Sequence, residues 1–330
     1  MSFLVFNSIE DWAKQIGDDR RTVIAVGTFD GLHVGHCKIL ESVRKRARAS
    51  GQLGTVVTFD PHPMRLLLPN RAPFLIQTLS QRLAGFEELG LDAALVLRFD
   101  HALSLVSAEE FIERILVQGL RASAILVGEN FRFGHRGAGD VRLLGEFGKR
   151  CGFEVQIIPP VEVGGKIVSS TAIRGEVASG NVAEAIPLLG RPFSLTGEIR
   201  SGEGRGRTIL FPTLNLAPEQ ELLPKLGVYA TETILSGSTY SSVTNVGTRP
   251  TFNGTDVRVE SHLFGFDKTV TGGRMELRFL RRIRDEQKFS GVDALRAQIS
   301  ADIETARKFF AERDVAHSSP QKQLALGNLE

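Results

Sequence analysis

Two histidines three residues apart, His33 and His36, follow a turn that begins Gly27-Thr28-Phe29-Asp30-Gly31. That combination suits an anion. Gly27 and Gly31 let the backbone approach a bulky group, and a helix starting near His33 offers free N–H groups and a positive dipole end. On a helix, His33 and His36 lie one turn apart and can face one ligand. The pair alone is no metal site, because third and fourth ligands are missing. Read in isolation, it is equally a glycine-rich turn with two surface histidines. A second cluster is VSSTAIRG, residues 168–175. Ser169, Ser170 and Thr171 can cap a helix or bind phosphate, and Arg174 follows one turn later. By itself this is an ordinary helix cap. A third stretch, GRGRTILFPTLNL at 204–216, joins a glycine- and arginine-rich loop to Pro212, Thr213 and Asn215. Two more segments are less telling alone. TFDPHP at 58–63 is a rigid strand exit, and VGENFRFG at 127–134 offers Phe131 and Phe133 as core aromatics. Glu260, in VESHLFGFD, reads alone as a solvent-facing strand residue.

Elements that would position these residues alternate in the first half. Residues 22–29, 53–63, 93–100, 122–134 and 153–161 read as strands, several of them β-branched and apolar. Residues 37–50 have helical spacing at Ile39, Leu40 and Val43, with Gly51 as a stop. A helix over 107–119 begins at Ser107, with Glu110 completing a capping box. Alternation predicts a parallel sheet covered by helices on both faces, with ligands beyond the carboxyl ends of its strands. Residues 175–193 read as one short helix containing Pro187, and a domain boundary is expected near residue 186. Beyond it, 193–199, 227–235, 240–247, 258–265 and 274–283 are short strands separated by turns. They predict a small antiparallel barrel or sandwich. A helix capped by Ser290 and Asp293 closes it, with Val292, Leu295, Ile299, Ile303 and Ala306 as its apolar stripe.

At 330 residues the chain is long for one core, and about two domains are expected. A formal net charge of +2 argues against a broad nucleic-acid surface, and the basic run 44–48 reads as a solvated helix face. Two cysteines, Cys37 and Cys151, are too few for a disulfide framework or a zinc site of usual spacing. The first fifteen residues lack the basic and apolar regions of a signal peptide, and no apolar run approaches a membrane span. A cytoplasmic protein is expected, with no nucleic-acid or membrane partner.

The order strand, turn, H-x-G-H, helix, followed later by the Ser/Thr-rich helix start with Arg174, resembles the nucleotidyltransferase superfamily. TFDPHP and VGENFRFG narrow this to a resemblance to the bacterial bifunctional riboflavin kinase/FAD synthetases. Asp60 stands where that family tends to have Glu, and Thr28 where it often has Asn. The resemblance implies that His33, His36 and Arg174 meet phosphate charge during adenylyl transfer. It places ATP at Gly27, Thr28, Phe29, Asp30, Gly35, Ser169, Ser170 and Thr171, and FMN at Asp60, Pro61, His62, Pro63, Asn130 and Arg132. In the second half, GRGRTILFPTLNL resembles the riboflavin kinase signature. That implies Gly206 and Arg207 at the nucleotide, Thr213 and Asn215 at Mg²⁺, and Glu260 as general base. TNVGTRPTF at 244–252 completes the match, with Asn245, Gly247 and Thr248 expected at the flavin. Leu210 replaces a usual Gly, and the segment around Thr271 departs from a usual Tyr-Gly pair.

The expected protein is therefore an α/β nucleotidyltransferase-like domain with a parallel sheet, residues 1–186, followed by an antiparallel barrel with a closing helix, residues 187–315. Residues 316–330 are expected to be a flexible tail. The resemblance implies two steps, riboflavin to FMN and FMN to FAD, both using ATP with Mg²⁺. The rival readings are an enzyme with one working half and a flavin-binding regulator without chemistry. The spacing does not give the oligomeric state.

Overall fold

A computed structural model describes residues 2–17, 19–200, 211–251, 254–268, 270 and 272–318. The chain divides into two compact units, 1–172 and 173–330. The expected boundary near residue 186 falls inside a helix of the second.

The first unit is a six-stranded parallel sheet. In chain order it contains β1 (Leu4–Phe6), α1 (Ile9–Ile16), β2 (Thr22–Val26), α2 (Val34–Ser50), β3 (Leu53–Asp60) and α3 (Pro63–Leu67). Next come α4 (Leu79–Glu88), β4 (Ala93–Arg98), α5 (His101–Ser104) and α6 (Ala108–Glu110), which a π-wound segment, Phe111–Gly119, continues. Then β5 (Ala122–Gly128), α7 (Val141–Cys151) and β6 (Glu154–Ile158) complete the sheet, and a small hairpin, β7 (Glu162–Val163) and β8 (Lys166–Ile167), follows. The strand order is β1-β4-β3-β2-β5-β6. The chain moves outward from β2 through β3 to β4, then resumes on the other side with β5. The strand ends at β2 and β5 therefore flank the switch point where open α/β sheets bind ligands.

β2 is buried at every position, as an inner parallel strand covered on both faces must be. Leu40, Val43 and Ala47 of α2 pack one face of the sheet, and Trp12, Ile112, Leu116 and Leu144 belong to the core on the other. Sequence patterning missed β1, only three residues long, and helices that include α1, α4 and α7. It also predicted a full capping box at α6. The Ser107 hydroxyl does accept from the Glu110 amide at 3.0 Å, but the Glu110 carboxylate pairs with Arg114 instead, so only half the box forms.

Helix α8 (Ser170–Ser179) begins in the first unit and runs into the second, where α9 (Val182–Leu189) follows. The single helix expected over 175–193 is thus two. Gly180, at φ 84°, makes the left-handed break between them, and Pro187 is inside α9. The barrel then comprises β9 (Phe193–Arg200), β10 (Leu214–Pro218), β11 (Gly227–Leu235), β12 (Ser238–Thr251), β13 (Gly254–Leu263) and β14 (Arg274–Asp285), with α10 (Val292–Ser318) last. It closes in the order β10-β13-β12-β11-β14-β9, with every pairing antiparallel. The barrel alternative is the one realised, and β10 is a strand that patterning missed.

Helix α10 packs Ile303, Ala306 and Phe310 against Val228, Ala230, Val243 and Leu280, with Ile299 alongside. The first turn departs from the expected stripe, since Val292 is exposed. An ion pair to the buried Asp302 fixes the helix to β14: the half-buried Arg284 guanidinium donates to both carboxylate oxygens of Asp302, at 2.9 and 2.8 Å. The helix continues to Ser318, so residues 316–318 of the expected tail are helical and 319–330 lie outside the described residues.

Candidate active sites

The first site gathers at the carboxyl ends of β2, β3 and β5. After β2 the backbone turns back on itself, with φ of 49° at Phe29, 90° at Gly31 and 38° at Leu32. Gly31 is needed twice over: its φ favours glycine, and a Cβ there would lie 2.9 Å from Ile76. Asp30 is buried, and one of its carboxylate oxygens accepts from the amides of Ile76 and Gln77, both at 3.1 Å. Its side chain therefore braces the turn. Phe29 is buried as well, its ring edge-on to His36 and Phe86. Of the residues assigned to ATP here, Phe29 can offer only backbone.

His33 caps α2: its Nδ1 accepts the His36 amide at 3.2 Å, so the neutral ring carries its proton on Nε2. The two imidazoles stack, with centroids 3.6 Å apart and planes 17° from parallel. Gly35 makes room for this, since a Cβ there would lie 3.2 Å from the His33 ring. With the His36 amide capped, the amides of Val34 and Gly35 remain as first-turn donors that the helix itself cannot pair. The result is a compact N–H-donating corner.

The Ser/Thr cluster meets this corner. Ser169 Oγ caps α8 by accepting from the Ala172 amide at 3.2 Å. Ser170 Oγ donates to the Asp30 carbonyl at 2.9 Å, which ties residues 140 positions apart. Thr171 is exposed at the first turn. Arg174 is half-buried, farther along the same helix.

β3 ends at Asp60, and His62 caps α3 through Nδ1, which accepts the Met64 amide at 3.2 Å; Pro63 occupies the first turn. Past β5, Asn130 is an exposed turn residue and Arg132 lies 3.6 Å from Asp140. Between these exits is an aromatic pocket lined by Phe59, Phe99, Phe111, Phe131 and Phe133, with Arg132 and Arg136 at its polar side. Phe131 and Phe133 stack with centroids 5.2 Å apart. Apolar walls with a few cationic groups suit a flat, partly anionic ligand. Phe99, Phe111 and Arg136 were missed because their closeness depends on folding.

The second site lies on the outer face of the barrel. Asn215 of β10 stands opposite Glu260 of β13, and Glu260 stands opposite Asn245 of β12. Partners opposite one another in antiparallel strands share a face, so an amide, a carboxylate and an amide form one row. The neighbours Val259, Ser261 and Leu263 point inward and are buried. Glu260 is about one-third exposed, with Arg258 at 3.9 Å. His262 lies on the same outer face, and its Nδ1–H donates to the Pro212 carbonyl at 2.8 Å, which anchors the segment leading to Thr213. Gly247 lets two polar groups approach its backbone: a Cβ there would lie 2.8 Å from the Glu286 carboxylate and 2.9 Å from the Asn245 amide nitrogen. Glu286 also accepts the Thr248 amide at 3.1 Å. Thr213 and Asn215 are half-buried oxygen donors. Among the described residues no group of three or more His, Cys, Asp or Glu could hold a metal by itself. Gly206, Arg207, Leu210 and Thr271 lie outside the described residues.

Residues 15–172 match the FAD synthetase family model and residues 189–310 the riboflavin kinase family model. The chain is 37% identical over 289 residues to a bifunctional riboflavin kinase/FMN adenylyltransferase of Escherichia coli K12, covering 87% of this chain and 92% of the relative. A protein of the same description from Pseudomonas fluorescens is 36% identical, covering 89% and 94%. A solved structure described as a macrolide-efflux protein from Streptococcus pneumoniae superposes with a TM-score of 0.82 at 30% identity, covering 93% of this chain and 99% of that one. Among the described residues of this chain, no helix is long and apolar enough to cross a membrane.

Proposed function

The chain belongs to the family of bifunctional riboflavin kinase/FMN adenylyltransferases, and from that premise we propose how its residues divide the two reactions. The enzyme phosphorylates riboflavin with ATP, giving FMN and ADP, then adenylylates FMN with ATP, giving FAD and pyrophosphate.

In the adenylyl step, an FMN phosphate oxygen attacks the α-phosphorus of ATP. The bond from that phosphorus to the bridging oxygen breaks, and pyrophosphate leaves. Negative charge grows on both sides of the transferred group. His33 Nε2–H, His36, Arg174 and the first-turn amides of α2 are assigned to it, since donors aimed at developing charge are the largest catalytic term. Gly27, Thr28, Asp30, Gly35 and the Ser169–Thr171 start of α8 hold ATP. FMN occupies the aromatic pocket beside Asp60, Pro61, His62, Pro63, Asn130 and Arg132. The bond from Ser170 to the Asp30 carbonyl is the observation that supports this most, because it draws both phosphate-binding motifs to one corner.

In the kinase step, the ribityl 5′-hydroxyl attacks the γ-phosphorus, its proton passes to Glu260, and ADP leaves. A carboxylate is a weak base at neutral pH, so Glu260 acts chiefly by holding the hydroxyl in line. Asn245, Gly247 and Thr248 hold the flavin, and Gly206 and Arg207 the nucleotide. Thr213 and Asn215 would hold Mg²⁺: neutral oxygen donors suit a hard cation that takes its remaining ligands from phosphates and water. When bound, the ion neutralises phosphate charge. Adenylyl transfer is assigned to residues 1–186 and kinase activity to 187–315, in a cytoplasmic enzyme.

One time course tests the assignments. Purified protein is given riboflavin, ATP and Mg²⁺, and riboflavin, FMN and FAD are resolved; a parallel reaction starts from FMN. FMN should rise and then convert to FAD, and the FMN-fed reaction should need no riboflavin. FMN that accumulates without FAD would leave only the barrel site working.

A further inference from the structure

Arg82 is buried. It belongs to α4, the helix that presses on the phosphate-binding turn. Phe86 stacks edge-on against Phe29, and Gly85 passes so close to Leu32 that a Cβ there would lie 2.3 Å from it. From this helix the Arg82 guanidinium reaches two strand exits at once. One nitrogen donates to the Thr28 carbonyl at 2.8 Å, to Thr58 Oγ1 at 3.1 Å and to the Phe59 carbonyl at 3.4 Å. The other lies 3.6 Å from Asp60. Thr28 is on the nucleotide turn after β2. Phe59 lines the aromatic pocket, and Asp60 ends β3 beside it.

We propose that Arg82 is a positioning residue for adenylyl transfer, the clamp that fixes the nucleotide turn relative to the flavin-side exit of β3. This rests on the assignment of the first unit to that reaction. Burial works against the guanidinium, lowering its pKa, while the charges of Asp30 and Asp60 oppose that effect. A buried cation retained at such a cost, with a forked head spread over two exits, is placed for geometry. The β2–β3 ladder still pairs the strands up to Val26 and Val57 without it. What the clamp controls lies past the ladder, where two substrates must align. Misalignment of reacting groups lowers turnover far more than it lowers affinity for either partner.

The test is steady-state FAD formation from FMN and ATP by full-length Arg82→Met and Arg82→Lys, with riboflavin phosphorylation measured on the same preparations. Wild-type conversion of FMN to FAD checks the underlying assignment separately. In Arg82→Met, kcat should fall about 10- to 100-fold while both KM values stay within about threefold. Kinase activity should be unchanged, and Arg82→Lys should recover part of kcat because it keeps the charge and some donors. Near-wild-type kcat, or a loss confined to KM, would overturn the proposal. If Arg82→Met does not fold, Thr58→Val decides. It removes one acceptor of the clamp, together with that hydroxyl's own 3.3 Å bond to the Thr28 carbonyl, without stranding a charge, and should lower kcat several-fold at constant KM; an unchanged kcat would overturn the proposal.

Discussion

Removing the Ser170 hydroxyl tests whether the two motifs proposed to bind phosphate depend on each other. Ser170→Ala deletes the 2.9 Å bond to the Asp30 carbonyl. It leaves the Ser169 cap on Ala172 in place and puts a better helix former at the first position of α8. The net worth of such a bond is about 1 kcal/mol. For a unit of this size that corresponds to a fall in melting temperature of about 2–4 °C. If the tie holds the turn in the geometry that chemistry needs, kcat/KM for FAD formation should fall about five- to tenfold, the kinetic equivalent of the same free energy. Ser170→Thr keeps the hydroxyl and should stay near wild type. The assay is FAD formation from FMN and ATP, with riboflavin phosphorylation as internal control and a melt for each variant. Two results would refute the reasoning. Wild-type kcat/KM in a folded Ser170→Ala enzyme would mean the tie is idle. A loss of about 100-fold or more would exceed what one neutral bond supplies, and would assign the hydroxyl to the nucleotide directly.

His36→Ala should lower FAD formation by about 100-fold or more, as for loss of a transition-state charge partner, and leave riboflavin phosphorylation nearly intact. Equal loss of both activities in a folded variant would sink the two-site assignment. Glu260→Gln should lower kinase turnover with little change in the KM for Mg-ATP, whereas Asn215→Ala should raise that KM and shift the Mg²⁺ dependence upward. Titrations in riboflavin and in Mg-ATP distinguish the two. A fragment covering residues 173–330 should melt cooperatively and make FMN, since it holds the whole barrel and its closing helix. A folded but inactive fragment would show that the kinase site borrows residues from the first half.

Local pattern carried much of the first unit. β2 is β-branched, a glycine turn ends it, and α2 starts at a capping residue, so strand, turn and helix were all legible. The strands that patterning missed are short. β1 is three residues long. β10 is only five residues long and ends in Pro218, so alternation had little room to appear. α4 had a readable start, since Thr78 and Gln81 form a capping box, but nothing local says that its Arg82 spans two strand exits. The roles inside the turn were also hidden. Phe29 and Asp30 lie in the turn proposed to bind phosphate, yet one side chain fills the core and the other braces the loop at Ile76 and Gln77. Partners such as these come from other elements, so composition and spacing cannot name them.

The kinase row shows the same limit, and how the fold overcomes it. Asn215, Glu260 and Asn245 meet only if β10, β13 and β12 pair in one register. A slip of one residue would turn Glu260 inward and Ser261 outward. Burial of one face already opposes such a slip, because the whole inward set would turn outward. In this barrel the inward positions of three strands add a hydroxyl network. Thr231 bonds Ser242 at 2.8 Å and Thr244 at 2.6 Å, Thr233 bonds Ser242 at 2.8 Å and Ser261 at 3.1 Å, and Thr244 donates to Ser261 at 3.0 Å. All five residues are fully buried, and each hydroxyl has a partner in this register. A slip in β13 would put Glu260 or His262 against them and break bonds that water cannot replace inside the barrel. Buried polar groups without partners cost about 1–3 kcal/mol each, so the network adds to the discrimination against the wrong register. The inward hydroxyls thereby help fix which residues face outward, and the outward row is the one proposed for the kinase step.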